Sequence, residues 1–145
     1  MKNVILKQAT IIDSESKFHH QKVDITIEDG TITSIDKSAK NPNKLEEISL
    51  DNLHVSQGWF DSSVSFGEPG FDDRETINNG LKVAAKSGFT DVALQPNSYP
   101  ILDNQSAISF VRNKSNGFAT NLHPIGALTK NSEGNDLAEL FDMKN

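Results

Sequence analysis

Cysteine is absent from the 145 residues, and tryptophan and tyrosine occur once each. Without thiols there is neither a disulfide framework nor a thiolate metal site, which suits a reducing compartment. Positive charge is also scarce. Fourteen Lys and Arg stand against twenty Asp and Glu, leaving a net charge of -6, and no stretch gathers the basic residues together. A nucleic-acid surface needs concentrated positive charge to neutralise phosphates, so no nucleic-acid partner is expected, and the acidic excess reads as solubility. Long apolar runs are missing too. The opening Met1-Lys2-Asn3-Val4-Ile5-Leu6 is interrupted by Lys7 and Gln8 before a signal core forms. No segment nears the ~20 apolar residues that span a bilayer, so no membrane contact and a cytoplasmic location are expected.

What the chain does contain is β-rich at first. Val4 to Ile12 and Lys22 to Ile35 are dense in β-branched residues, and Val23, Ile25 and Ile27 alternate up to Asp29-Gly30, a strong hairpin turn. A polar loop with Asn41-Pro42-Asn43 precedes a further strand around Ile48 to Val55. Residues 1–55 are therefore expected to form a small β-sandwich-like module. From residue 56 the rhythm becomes strand, helix, strand, helix, strand, helix, which implies βα units on a parallel sheet. The first helix should open near Asp72-Asp73, bury Ile77, Leu81, Ala84 and Ala85, and stop at Gly88. A strand at Thr90–Gln95, a helix carrying Ala107, Ile108, Phe110 and Val111, and a strand over Leu122–Leu128 follow. A third helix is expected from Gly134, with Leu137, Leu140 and Phe141 as its core stripe. Three strands leave open sheet edges, and a complete (β/α)8 barrel needs about 250 residues, so residues 56–145 read as an incomplete TIM barrel within a longer parent.

The segment most informative about function is Gly58-Trp59-Phe60-Asp61-Ser62-Ser63-Val64-Ser65-Phe66-Gly67-Glu68-Pro69-Gly70. On a regular strand Asp61, Ser63 and Ser65 share a face, giving a row of short polar groups. The segment resembles the metal-binding strand of the dihydroorotase family, whose pattern is Gly-Phe-x-Asp-x-His-x-His-x-Arg-x-Pro-Gly. Further likeness lies in Gln95-Pro96-Asn97 and in Pro124-Ile125-Gly126-Ala127-Leu128-Thr129-Lys130. In that family the two histidines bind zinc and the arginine holds the substrate carboxylate. Ser63, Ser65 and Gly67 stand at those positions. A neutral hydroxyl is a poor zinc ligand beside imidazole, thiolate or carboxylate, and glycine offers no bidentate cation.

The resemblance therefore implies a pseudoenzyme of pyrimidine biosynthesis with no metal ligands and no catalytic residue in this chain. Inactive members of this kind are similar to structural partners of aspartate carbamoyltransferase, and a homo-oligomer is the other assembly expected. Asn97 matches the family's substrate-binding asparagine and Asp61 its aspartate, so both are candidate substrate-binding residues. The alternative is an active metal-dependent dihydroorotase or cyclic amidohydrolase, loaded with zinc and completed by residues beyond 145.

Other chemistry-bearing residues have plainer readings. Ser63 and Ser65 lack a nucleophile elbow and a neighbouring histidine to act as base. Glu68, Asp72, Asp73 and Glu75 cluster at a helix start, where negative groups complement the helix dipole. His19 and His20 read as surface residues, His54 lies away from a barrel mouth, and His123 is a single imidazole without companions.

Overall fold

The computed structural model describes residues 3–144, which divide into two compact units, one ending at Gln57 and the other starting at Gly58. In the first unit, β1 (Val4–Ile12), β2 (Lys22–Glu28), β3 (Thr31–Asp36), β4 (Glu46–Ser49) and β5 (His54–Ser56) form one five-stranded sheet. β1 takes β2 antiparallel along one edge, and β4 then β5 in parallel along the other. The expected hairpin joins β2 to β3, with Asp29 and Gly30 at φ 51° and 78°, the left-handed pair that Asp-Gly tolerates. In place of a two-layer sandwich-like module, β1 is long enough to seat β4 and β5 end to end in a single sheet. Ala9, Ile11, Val23 and Ile25 are its buried core, with Phe18, Ile35 and Leu53 packed against them.

Asp24 is the exception within that core: a carboxylate with 0% exposure between two buried aliphatics. The register of β1 slips between Leu6 and Ala9, and Gln8 adopts φ 53°. This bulge turns the Gln8 N–H onto Asp24 Oδ1 at 2.9 Å. The Ala39 N–H donates to Oδ2 at 2.9 Å, and the Lys7 ammonium pairs with the same oxygen. Burial on its own pushes the Asp24 carboxyl up. The Lys7 hydrogen bond and the two backbone N–H groups outweigh it and hold the pKa at about 2, against an ordinary 3.8.

In the second unit three parallel strands lie in the order β6 (Trp59–Val64), β7 (Phe89–Leu94), β8 (Asn121–Pro124). Helices α1 (Ile77–Lys86) and α2 (Gln105–Lys114) follow the first two strands. Ile77 and Leu81 of α1 and Ala107, Ile108 and Val111 of α2 pack against Val92, Leu94 and Leu122. Each fully buried Ile or Leu stabilises by about 2 kcal/mol relative to exposure. Phe110 is left outside this stripe and is exposed. Gly88 follows α1 at φ 89°, a C′ position that needs a residue free of Cβ strain, as expected.

Three boundaries differ from the sequence reading. α1 opens at Ile77, capped by Thr76, whose Oγ1 accepts the Asn79 N–H at 3.2 Å. Residues 70–75, including Asp72 and Asp73, are spent in turns that bring Glu75 back to Gly67. β8 stops at Pro124 instead of Leu128, because the Ala127 N–H turns away to Leu102 O at 2.7 Å. The third helix, α3, is the single turn Leu140–Met143. Leu137, Leu140 and Phe141 are exposed, and Ala138 and Met143 enter the core in their place. An antiparallel bridge between Thr129 and Leu137 and the 3-10 turn Lys130–Ser132 occupy the stretch where a longer helix was expected.

Asp24 yields a prediction whose sign follows from its lowered pKa. The unfolded chain takes up the proton first, so the stabilisation is present above pH ~4 and is lost as pH falls towards 2, amounting to about 2 kcal/mol. Asp24→Ala, which strands Lys7 and two backbone N–H groups, is expected to cost about 3 kcal/mol at neutral pH and to flatten the acid limb. Chemical denaturation between pH 2 and 7 measures both.

Candidate functional site at the carboxyl end of the parallel sheet

The ends of β6 and β7 bring two of the sequence candidates together. Ser65 follows the last residue of β6 and Asn97 follows the end of β7, and the Gln95 N–H extends the ladder by donating to Val64 O at 2.9 Å. From there the Asn97 amide Nδ2 donates to Ser65 Oγ at 2.7 Å. Both residues are exposed at the strand carboxyl ends, the side on which (β/α)8 enzymes build their sites.

Asp61 does not join them. Along β6, Asp61 stands opposite Val92, but the next pair is Val64 with Leu94, so Ser62 and Ser63 face Ala93 alone. This bulge breaks the alternation expected for Asp61, Ser63 and Ser65. Asp61 falls with Val64 and Phe66 in a cleft of about 210 Å³ whose other wall includes Gly80 and Ala84 of α1. Its Oδ1 accepts the Ser63 N–H at 3.0 Å. Ser65 does not line that cleft, and its Oγ is engaged by Asn97 instead.

Gly67 and Glu68 fix the turn that follows. Both of their N–H groups donate to Glu75 O, at 2.9 and 3.1 Å, and Gly67 O accepts the Phe71 N–H at 2.8 Å. A Cβ on Gly67 would lie 1.8 Å from Phe71 O and 3.1 Å from the Arg74 Cβ. Position 67 is thus filled by backbone, and the neighbouring guanidinium of Arg74 lies over the Phe71 ring instead, 4.3 Å from its centroid. The Glu68 carboxylate is buried, accepts the Ile77 N–H at 2.9 Å and pairs with Lys114 Nζ at 2.6 Å, raising the lysine's pKa. Glu75 accepts from the Thr76 N–H and the Asn79 amide, and Asp72 Oδ2 from the Gly70 N–H. The acidic cluster thus organises the start of α1.

One polar group escaped the sequence reading. His123 Nε2 lies 2.8 Å from Asp91 Oδ1, and Asn121 Nδ2 donates to the same oxygen at 3.1 Å. These bonds, His123 first, then Asn121 and Thr90, hold the Asp91 carboxyl below its ordinary range. The Phe60 ring meets His123 edge-on at 6.4 Å between centroids. His123, read from the sequence as a single imidazole without companions, therefore has a carboxylate partner. The usable signal was the matching parity of Asp91 and His123 on consecutive parallel strands. His19 donates no metal-ligand geometry either: its Nδ1 accepts the Asp13 N–H at 3.1 Å.

The residues at the end of β6 do not fit zinc. Ser63, Ser65 and Gly67 supply no imidazole, thiolate or carboxylate, and Ser65 Oγ is already held by Asn97. Of the nearby carboxylates, Asp61 and Glu75 line the α1 cleft, and Glu68 is committed to Lys114 and the Ile77 N–H. Among the described residues no group of three or more His, Asp or Glu converges on a point that a metal could occupy.

A parallel sheet backed by helices, with polar residues gathered at its carboxyl ends, is the fold of part of a TIM barrel. The L-hydantoinase of Arthrobacter aurescens superposes with a TM-score of 0.67 at 18% identity, over 89% of this chain and 28% of its own. A dihydroorotase structure gives 0.63 at 14% identity, over 90% and 32%. No protein-family model matches the chain. In sequence the chain is similar to dihydroorotases. It is 38% identical over 141 residues to the dihydroorotase of Pelotomaculum thermopropionicum, covering 97% of this chain and 33% of that protein. With the dihydroorotase of Geotalea daltonii it shares 34% over 143 residues, 98% and 33%. The chain spans about a third of the length of these curated relatives. No helix among the described residues is long and apolar enough to cross a membrane.

Gly67→Ala is expected to destabilise the second unit by about 3 kcal/mol, because the Phe71 carbonyl must move to admit one methyl. Ser63→Ala, at an exposed position in the same segment, should stay within about 0.5 kcal/mol. Thermal denaturation of the two variants side by side checks the contrast.

Proposed function

We propose that the protein is a dihydroorotase-like component of pyrimidine biosynthesis that does not itself hydrolyse dihydroorotate and serves as a structural partner of aspartate carbamoyltransferase. The observation that carries this reading is the composition and closure of the β6 end. Where the resemblance calls for two zinc-binding imidazoles and a carboxylate-binding arginine, Ser63, Ser65 and a sterically closed Gly67 stand. Hydroxyls on one-carbon stems do not replace imidazole as zinc donors, and a backbone turn cannot present a guanidinium. The Asn97–Ser65 bond supports the same reading, since the asparagine expected at the substrate is engaged with the serine. A partner role is further supported by β6 and β8, which are the outer strands of the described three-stranded sheet. Such edges accept a further strand or a packed neighbour.

The test uses the purified protein supplied with zinc. No dihydroorotate hydrolysis above the uncatalysed rate is expected, and mixing with aspartate carbamoyltransferase should give a stoichiometric complex on size-exclusion chromatography. Zinc-dependent turnover would return the protein to the active metal-dependent amidohydrolases. A self-associated species that ignores aspartate carbamoyltransferase would overturn the partner assignment in favour of a homo-oligomer.

A further inference from the structure

The sequence contains two Asn-Gly pairs, Asn79-Gly80 and Asn116-Gly117, and the structure treats them oppositely. We propose that Asn116 is a site of spontaneous covalent modification, in which the side-chain amide is converted through a succinimide to aspartate and isoaspartate while Asn79 is protected.

In this reaction the Gly amide nitrogen loses its proton and attacks Cγ of the preceding Asn. A C–N bond forms, the Cγ–Nδ2 bond breaks, and ammonia leaves with the proton. Water then opens the five-membered imide at either carbonyl, giving an α- or β-linked carboxylate. The step requires no partner beyond water and hydroxide. It is fastest where the following residue has no Cβ, where its N–H is free, and where the Asn side chain and backbone can turn towards one another.

Asn116-Gly117 meets each condition. It lies in the exposed turn between α2 and β8. Gly117 has φ 84°, and a Cβ built there would meet nothing within 4 Å. Among the described residues the Gly117 N–H and the Asn116 side chain make no hydrogen bond. Among the described residues Asn116 makes one hydrogen bond, from its own N–H to Asn113 O at a long 3.4 Å.

Asn79-Gly80 fails the same conditions. Its Nδ2 donates to both Glu75 carboxylate oxygens, at 3.0 and 3.2 Å. The Gly80 N–H is committed to Thr76 O at 2.9 Å within α1. Gly80 is buried, with the Phe66 ring 2.4 Å from where its Cβ would be. Helical geometry keeps Asn79 Cγ away from the next nitrogen, and leaving that geometry costs the packing of α1.

The product adds a negative charge to an open cleft of about 390 Å³ that Asn116 and Gly117 line together with Arg112 and His123. The chain thus acquires, with age, a charge change confined to one face of the second unit. The inference stands on this turn alone and is independent of the functional reading above.

Peptide mapping by mass spectrometry, after incubating the folded protein at mildly alkaline pH, tests the proposal. Amide-to-acid conversion is expected in the peptide holding Asn116, with isoaspartate in excess over aspartate, and none at Asn79. In urea the protection at Asn79 should vanish and the two sites should convert at similar rates. Gly117→Ala should slow the conversion many-fold, and Asn116→Gln should, independently, abolish the signal in the folded protein. Equal conversion at both sites in the folded state, or conversion at Asn116 only after unfolding, would overturn the proposal.

Discussion

The second unit depends on the turn at Gly67 and Glu68. The chain leaves the exposed end of β6, doubles back so that two consecutive N–H groups share the Glu75 carbonyl, and sends a buried carboxylate to the first N–H of α1. Through Lys114 that carboxylate also reaches the last residue of α2. An unpaired carboxylate at 4% exposure would be costly, so the turn, the start of α1 and the end of α2 are fixed by one another. Glycine at 67 is a condition of that arrangement, because any Cβ collides with the Phe71 carbonyl.

This changes the meaning of a missing arginine. A position emptied of its side chain but left open is a vacancy that a substitution refills. At position 67 the space beside the Cα is filled by the Phe71 carbonyl, and the Arg74 Cβ stands close by. Similarly, Ser65 is engaged by Asn97, and the bulge at Ser62 and Ser63 has sent Asp61 to the α1 side of the sheet. The proposal that the protein does not hydrolyse dihydroorotate accordingly rests on donor chemistry, backbone path and strand register at the end of β6.

What the sequence made legible follows the range of the forces involved. Asp29-Gly30 and Gly88 were readable because positive φ is a local demand that few residues meet, and both are found there. Ile77, Leu81, Ala107, Ile108 and Val111 were readable because helical periodicity marks a buried face without knowledge of what buries it. The features that escaped are non-local. The β6 bulge is set by pairing with β7, so strict alternation misplaced Asp61. His123 looked solitary because Asp91 is 32 residues away and meets it only through the β7–β8 register. Leu137, Leu140 and Phe141 carry a helical period, yet Gly134 at φ 79° and the Thr129–Leu137 bridge leave only the single turn Leu140–Met143 helical. Asp24 lies among alternating aliphatics, and the Lys7 ammonium, the Gln8 bulge and the Ala39 N–H together explain a carboxylate held there.

The central claim is that the end of β6 offers no seat for a catalytic metal, and metal stoichiometry measures it most directly. Equilibrium dialysis of the purified protein against zinc, followed by elemental analysis, is predicted to leave no zinc whose retention depends on Ser63 or Ser65. One zinc per chain, retained through dialysis and lost on replacing either serine with alanine, would contradict the account.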